Sequence, residues 1–236
     1  MPALAARQTD AMQTRPHLQL VTGATPLLTE DGFARVVDAM RAGIDSVQIR
    51  ERGATGSMLL AAAQRILPAA SDIGIVVTIN DRADIALALL AIRRSTIGGS
   101  LVPVGVHLAG HSIPVGMVRH HLPLPLVGAS IHSVDEARAA ERDGADYVTF
   151  GHVFPSNSHP DRSPQGLDRL REVVSAVSIP VFAIGGIDAG NAGDVLATGC
   201  AGVTVISAIL AAADPAVATR ELRAALDRDP PNRTPK

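Results

Sequence analysis

The sequence predicts an α/β protein folded as one (β/α)8 TIM barrel. Two positive observations and one absence predict it. Short runs rich in Val, Ile and Leu recur, each followed by a longer, Ala-rich amphipathic stretch. Eight such units fall within roughly 210 residues, the compact size of this barrel. No Gly-x-Gly-x-x-Gly follows the first apolar run, which weakens the doubly wound open sheet as an alternative.

The strands are expected in order at Leu18–Gly23, Ser46–Arg50, Gly74–Asn80, Val104–Leu108, Leu126–His132, Tyr147–His152, Val181–Gly186 and Gly202–Ser207. Their near-continuous apolar character marks parallel strands covered on the outer face. Helices are expected between them at Gly32–Ala42, Gly56–Ala69, Arg82–Ile92, Val134–Asp143, Gly166–Ala176, Asn191–Ala197 and Pro215–Leu226. The stretch Ile113–His121, between the fourth and fifth strands, shows a weaker helical pattern. Residues 1–15 and 228–236 are expected as disordered ends around a barrel spanning 16–227.

Composition excludes several classes. At 236 residues and 47% hydrophobic, the chain can bury a sizeable core. A net charge of −2 gives no electrostatic footprint for nucleic acid or an anionic membrane. The single Cys, Cys200, excludes a disulfide framework and a Cys-based metal site. No apolar run reaches the roughly 18–20 residues of a membrane span. The start lacks the basic, apolar, small order of a signal peptide, so a cytoplasmic protein is expected. The only Lys is Lys236, which rules out Schiff-base chemistry in the core.

In such a barrel, function collects at the C-terminal ends of the strands. Strand seven ends in Gly185-Gly186, whose backbone N–H groups admit close approach by a ligand. Ile206 and Ser207 lie where strand eight turns. Together these loops are candidates for a phosphate site; a plain tight turn is the competing explanation. Arg50 and Arg52 point the same way from strand two. Arg50 suits a carboxylate or phosphate, or an ion pair with Glu51 or Asp81. Asn80 and Asp81 end strand three. Asp81 is either a metal carboxylate or the N-cap of the next helix. His132, at the end of strand five, could carry protons near neutral pH. His107 is expected as packing. His111, His120 and His121 have no acidic partner at ligand spacing. After strand six comes Gly151-His-Val-Phe-Pro-Ser-Asn-Ser-His-Pro-Asp-Arg-Ser163, a polar loop with Ser156, Ser158 and His159 but no Lys.

Six segments, read together, resemble the thiamine phosphate synthase superfamily. They are Val47-Gln-Ile-Arg-Glu51, Ile79-Asn-Asp-Arg82, Gly105-Val-His-Leu108, Asp143-Gly-Ala-Asp-Tyr-Val148, Pro180-Val-Phe-Ala-Ile-Gly-Gly-Ile187 and Val205-Ile-Ser-Ala-Ile209. The resemblance runs from about Leu18 to Pro215. It implies a barrel, a small thiazole phosphate substrate and a homodimer. The superfamily holds two activities. One is a synthase that joins a pyrimidine pyrophosphate to a thiazole phosphate with Mg²⁺. The other is a metal-free thiazole tautomerase, TenI.

Two departures favour the tautomerase, as does Phe150-Gly-His-Val-Phe154 at the end of strand six, which resembles that branch. Ser112 stands where the synthase pattern has a second metal-binding Asp. His159 stands where it has a Lys. A barrel short of one carboxylate and one cation is expected to ionise pyrophosphate poorly. The expectation is therefore a thiazole tautomerase without cofactor. His132 moves protons, Gly185, Gly186, Ile206, Ser207, Ser156 and Ser158 bind phosphate, and Arg50, Arg52 and Asn80 hold the carboxylate. The alternatives are the synthase, with Asp81 on Mg²⁺, and a non-catalytic thiazole phosphate-binding protein.

Overall fold

The computed structural model describes residues 15–23, 26–95, 103–156 and 163–228. Eight parallel strands close into a barrel in sequence order: β1 (His17–Val21), β2 (Ser46–Ile49), β3 (Val76–Asn80), β4 (Val104–Leu108), β5 (Val127–Ile131), β6 (Tyr147–Gly151), β7 (Val181–Ile184) and β8 (Gly202–Val205). The ring closes where Leu18 and Leu20 of β1 register with Val203 and Val205 of β8. The (β/α)8 barrel read from the sequence is therefore the fold.

The helices follow the amphipathic stretches closely. They are α1 (Glu30–Ala42), α2 (Gly56–Ile73), α3 (Ala83–Ser95), α4 (Val115–His121), α5 (Val134–Arg142), α6 (Gly166–Ala176), α7 (Ala192–Leu196), α8 (Ser207–Leu210) and α9 (Pro215–Arg228). Thr29, Thr55 and Ser133 cap α1, α2 and α5 by accepting from backbone N–H groups three residues on. The short α8 was expected only as a turn. Among the described residues, no helix is long and apolar enough to cross a membrane. The expected disordered ends, apart from Arg15 and Arg228, lie outside the described residues.

Period-two alternation explains the two faces of the barrel wall. Leu18, Leu20, Val47, Ile49, Val77 and Ile79 pack in the hydrophobic core. The alternate positions carry Gln19, Gln48, Thr78, His107, Thr149 and Thr204, all buried polar groups. Hydrogen bonds between neighbouring strands satisfy several of them. Thr204 Oγ1 donates to Gln19 Oε1 at 3.0 Å, and Gln48 Nε2 donates to Asn80 Oδ1 at 2.8 Å.

Aromatic rings fill the lower half of the barrel. Tyr147 lies 5.2 Å from the Phe182 ring, and His17 stacks on Phe182 at 4.8 Å. Tyr147 fits because Gly128 faces it: a Cβ there would stand 2.2 Å from Tyr147 Cζ. Beneath the rings, Arg223 of α9 ties the N-terminal face together. It donates to Asp45 at 3.0 Å, to the Pro16 carbonyl at 2.7 Å and to Asp227 at 2.8 Å. With the bottom filled, the barrel opens toward its C-terminal mouth.

Candidate active site

A cavity of about 1020 Å³ opens at the C-terminal ends of the strands. It gathers Arg50, Arg52, Asn80, Asp81, His132, Ser156, Gly185, Gly186, Ile206 and Ser207 in one place. Every proposed site residue that the structure describes therefore lines one cavity. Ser158 and His159 lie outside the described residues.

The floor is His107. Its Nδ1 sits 3.1 Å from the Tyr147 hydroxyl and its Nε2 2.9 Å from Ser130 Oγ. Burial lowers its pKa to about 4, so the imidazole is neutral at pH 7. The sequence suggested packing alone. His107 packs, but it also faces the cavity.

The second and third strands supply charge. Among the described residues, neither Arg50 nor Arg52 has a carboxylate within ion-pair distance, so the ion pair weighed for Arg50 is not formed. Asp81 turns instead to Ser112 and His111. Glu51 accepts from Thr22 Oγ1 at 2.6 Å. It lines the same cavity, but among the described residues it forms no ion pair with either arginine. Partial burial, then the Arg52 charge, lowers the Arg50 pKa below its ordinary value. The guanidinium stays charged, and among the described residues no carboxylate compensates its burial. Asn80 Oδ1 is taken by Gln48, so its NH₂ group is the end left to donate. Gln48 also lines the cavity and was missed as a site residue. Its spacing two residues before Arg50 was the available signal.

Asp81 is the one non-glycine residue with positive φ, 62°, among the described residues. It does not cap α3. Its N–H donates to the His107 carbonyl at 2.8 Å, its Oδ1 accepts from Ser112 Oγ, and its Oδ2 stands 3.3 Å from His111 Nε2. Ser112 is itself fixed by accepting from Ala109 N–H at 2.7 Å. Residue 112 therefore orients Asp81 instead of adding a second carboxylate. One carboxylate at this cavity fits a Mg²⁺ ion, which commonly takes one or two carboxylates and fills its shell with phosphate oxygens and water.

The glycine pair forms the opposite wall. Gly185 (φ 101°) and Gly186 (φ 67°) take left-handed conformations, where any side chain is strained. A Cβ on Gly185 would lie 2.3 Å from His152 Cβ, and one on Gly186 2.5 Å from the Pro155 carbonyl oxygen. The pair is therefore more than a tight turn. It lets the loop after β6 pack close, with Phe154 N–H donating to the Gly185 carbonyl at 3.0 Å. That contact holds Ser156 at the cavity. Beside it, α8 starts at Ser207 with no side chain capping its first turn. Its leading amides face a site where an anion is favoured.

His132 is at the rim. Its side chain is 49% exposed, with Nδ1 3.8 Å from Glu136 Oε2, and its backbone N–H donates to the same oxygen at 2.5 Å. Gln165 holds the His132 carbonyl at 3.1 Å. The segment is anchored through its backbone, and the ring faces water.

Fold and site define a (β/α)8 barrel with a cationic, glycine-walled mouth. Residues 18–209 match the family described as thiamine monophosphate synthase, and the chain belongs to that family. A thiamine-phosphate synthase of Roseiflexus castenholzii is 39% identical over 78% of this chain and 76% of its own length. One of Chlorobium luteolum is 40% identical over 80% and 84%. The solved structure of thiamine phosphate pyrophosphorylase from Pyrococcus furiosus superimposes with a TM-score of 0.78 at 32% identity, over 92% of this chain and 98% of that one.

These relatives overturn the tautomerase expectation. That expectation rested on the missing Asp and Lys, together with His152-Val-Phe154 after β6. The structure supplies the physical reason it failed: loss of the acidic residue at 112 leaves Asp81 in place and oriented, and among the described residues Arg50 and Arg52 keep no carboxylate partner in the same cavity. The proton-shuttle role given to His132 falls with that activity.

Proposed function

We propose that this chain is a thiamine-phosphate synthase, a transferase that couples hydroxymethylpyrimidine pyrophosphate to thiazole phosphate. One observation carries the proposal: relatives 39–40% identical over about four-fifths of the chain bear that name.

The chemistry asks for what the cavity offers. The bond from the pyrimidine methylene carbon to the diphosphate oxygen breaks, and the electron pair leaves with the diphosphate. The thiazole nitrogen lone pair then forms the new C–N bond. Negative charge grows on the leaving group, so groups that hold it more tightly as it departs lower the barrier. Arg50 and Arg52 fill that role, and Asn80 donates from its free NH₂. Asp81 is the carboxylate that would hold a Mg²⁺ ion, and such an ion would supply further positive charge to the leaving diphosphate. Gly185, Gly186, Ile206 and Ser207 receive the thiazole phosphate through backbone N–H groups, with Ser156 and Ser158 adding hydroxyls. His107 is useful because it is neutral: an imidazolium on the floor would repel the electron-poor pyrimidine carbon.

The test incubates purified protein with both substrates and Mg²⁺ and follows thiamine phosphate and released pyrophosphate. Equal amounts of the two products, lost on chelation, are expected. Pyrophosphate release without thiamine phosphate would sink the assignment.

A further inference from the structure

We propose that His111 is a nitrogen ligand to the divalent cation carried by Asp81, so that this site prefers Mn²⁺ to Mg²⁺. The inference rests on the synthase assignment for the diphosphate that completes the shell. Its geometry stands apart from that assignment.

The two oxygens of Asp81 do different work. Oδ1 accepts from Ser112, which is itself pinned by the Ala109 amide. Oδ2 is left facing His111 Nε2 at 3.3 Å. Neighbouring donors on an octahedral ion with bonds of about 2.1 Å stand about 3.0 Å apart. Small shifts therefore place Oδ2 and Nε2 on adjacent vertices of one ion. The His111 side chain is 80% exposed and the Asp81 side chain 33% exposed, so an entering ion meets little steric or desolvation cost. An ion pair so exposed contributes little to stability. Stability is therefore a poor reason for the contact.

The backbone supports the same conclusion. Asp81 is held in the left-handed region, unusual for a residue with a side chain, and such strain collects at ligand sites. Ser112 then acts as the hydrogen-bonding partner that orients a coordinating carboxylate. With one carboxylate and one imidazole, the donor set is softer than two carboxylates. Mg²⁺ favours all-oxygen shells, whereas transition-series ions accept imidazole readily. Among the described residues, no cluster of three or more His, Cys, Asp or Glu forms a closed protein cage. Diphosphate oxygens and water would fill the remaining positions.

The test is pulsed electron paramagnetic resonance on the full chain loaded with Mn²⁺ and inorganic pyrophosphate. A ¹⁴N modulation from a directly bound imidazole is expected, and His111→Ala should abolish it while weakening Mn²⁺ about tenfold or more. His111→Asp should also remove the nitrogen signal and shift preference toward Mg²⁺. No bound Mn²⁺, bound Mn²⁺ without nitrogen, or a nitrogen signal that survives in His111→Ala would each overturn the inference. Coupling is assayed on the same samples. Coupling without a nitrogen ligand removes only this inference, and a nitrogen ligand without coupling removes only the synthase assignment.

Discussion

Replacing Arg50 with Met should separate function from stability. The substitution keeps an unbranched stem along the wall and removes the guanidinium. In the folded protein that group has no carboxylate partner among the described residues, and its lowered pKa reflects partial burial first and the Arg52 charge second. Folding therefore gains nothing from its charge, and removal should change stability by less than about 1 kcal/mol, toward greater stability if at all. Turnover should respond in the opposite direction. A preorganised donor aimed at charge that develops in the transition state is worth about 10²–10³ in rate, or roughly 3–4 kcal/mol. The assay pairs urea denaturation with kcat/KM for coupling. The expected outcome is an unchanged or higher midpoint with kcat/KM down at least about a hundredfold. A midpoint that falls by more than about 1 kcal/mol with near-normal kcat/KM would refute the reasoning and make Arg50 a structural residue.

Other outcomes follow from the packing and the titrating groups. Gly186→Ala puts a methyl 2.5 Å from the Pro155 carbonyl oxygen at a φ of 67°. The strain and crowding together should cost about 2–5 kcal/mol by denaturant unfolding; a loss below about 1 kcal/mol would mean that the loop after β6 yields easily. His17 and His107 both have pKa values lowered to about 4 by burial. The unfolded chain thus binds more protons between about pH 6.5 and 4, and stability should fall as pH drops through that window, by about 3 kcal/mol per histidine. A flat stability profile from pH 7 to 4 would contradict the buried, neutral state of both rings. Arg223→Ala leaves Asp45 short of a buried partner and the Pro16 carbonyl without its donor. It should cost about 3–5 kcal/mol in stability while KM at the far mouth stays unchanged.

Much of this molecule was legible in the sequence. The eight strands were readable because each is a short apolar run followed by a helix with its own period. Arg50, Asn80, Gly185, Gly186 and Ser207 were readable because strand ends in a barrel all point to one mouth. What failed was the balance of charge. Ser112 and His159 were read as losses of a carboxylate and a Lys, but compensation is a property of space. That Ser112 hydrogen-bonds Asp81, thirty-one residues away, is set by two loops packing together. The same holds for His111, read as lacking an acidic partner because none is near it in sequence. The sequence also could not show that Glu51 accepts from Thr22 and Asp81 from Ser112, with neither paired to Arg50 among the described residues. Those bonds leave the arginine pair without a carboxylate partner among the described residues, and the activity was misjudged for want of them. His107 was read as packing because a buried strand histidine is usually that. Its second role depends on the cavity stopping at its ring.

The most direct measurement is a parallel assay of one purified sample. One arm supplies hydroxymethylpyrimidine pyrophosphate with aromatic thiazole phosphate and a divalent ion, and follows thiamine phosphate. The other supplies freshly made thiazole tautomer and follows its aromatisation. The synthase assignment predicts metal-dependent coupling, with aromatisation no faster than without protein. Metal-independent aromatisation with no coupling would contradict it, and would mean that the uncompensated arginines serve a carboxylate in place of a departing diphosphate.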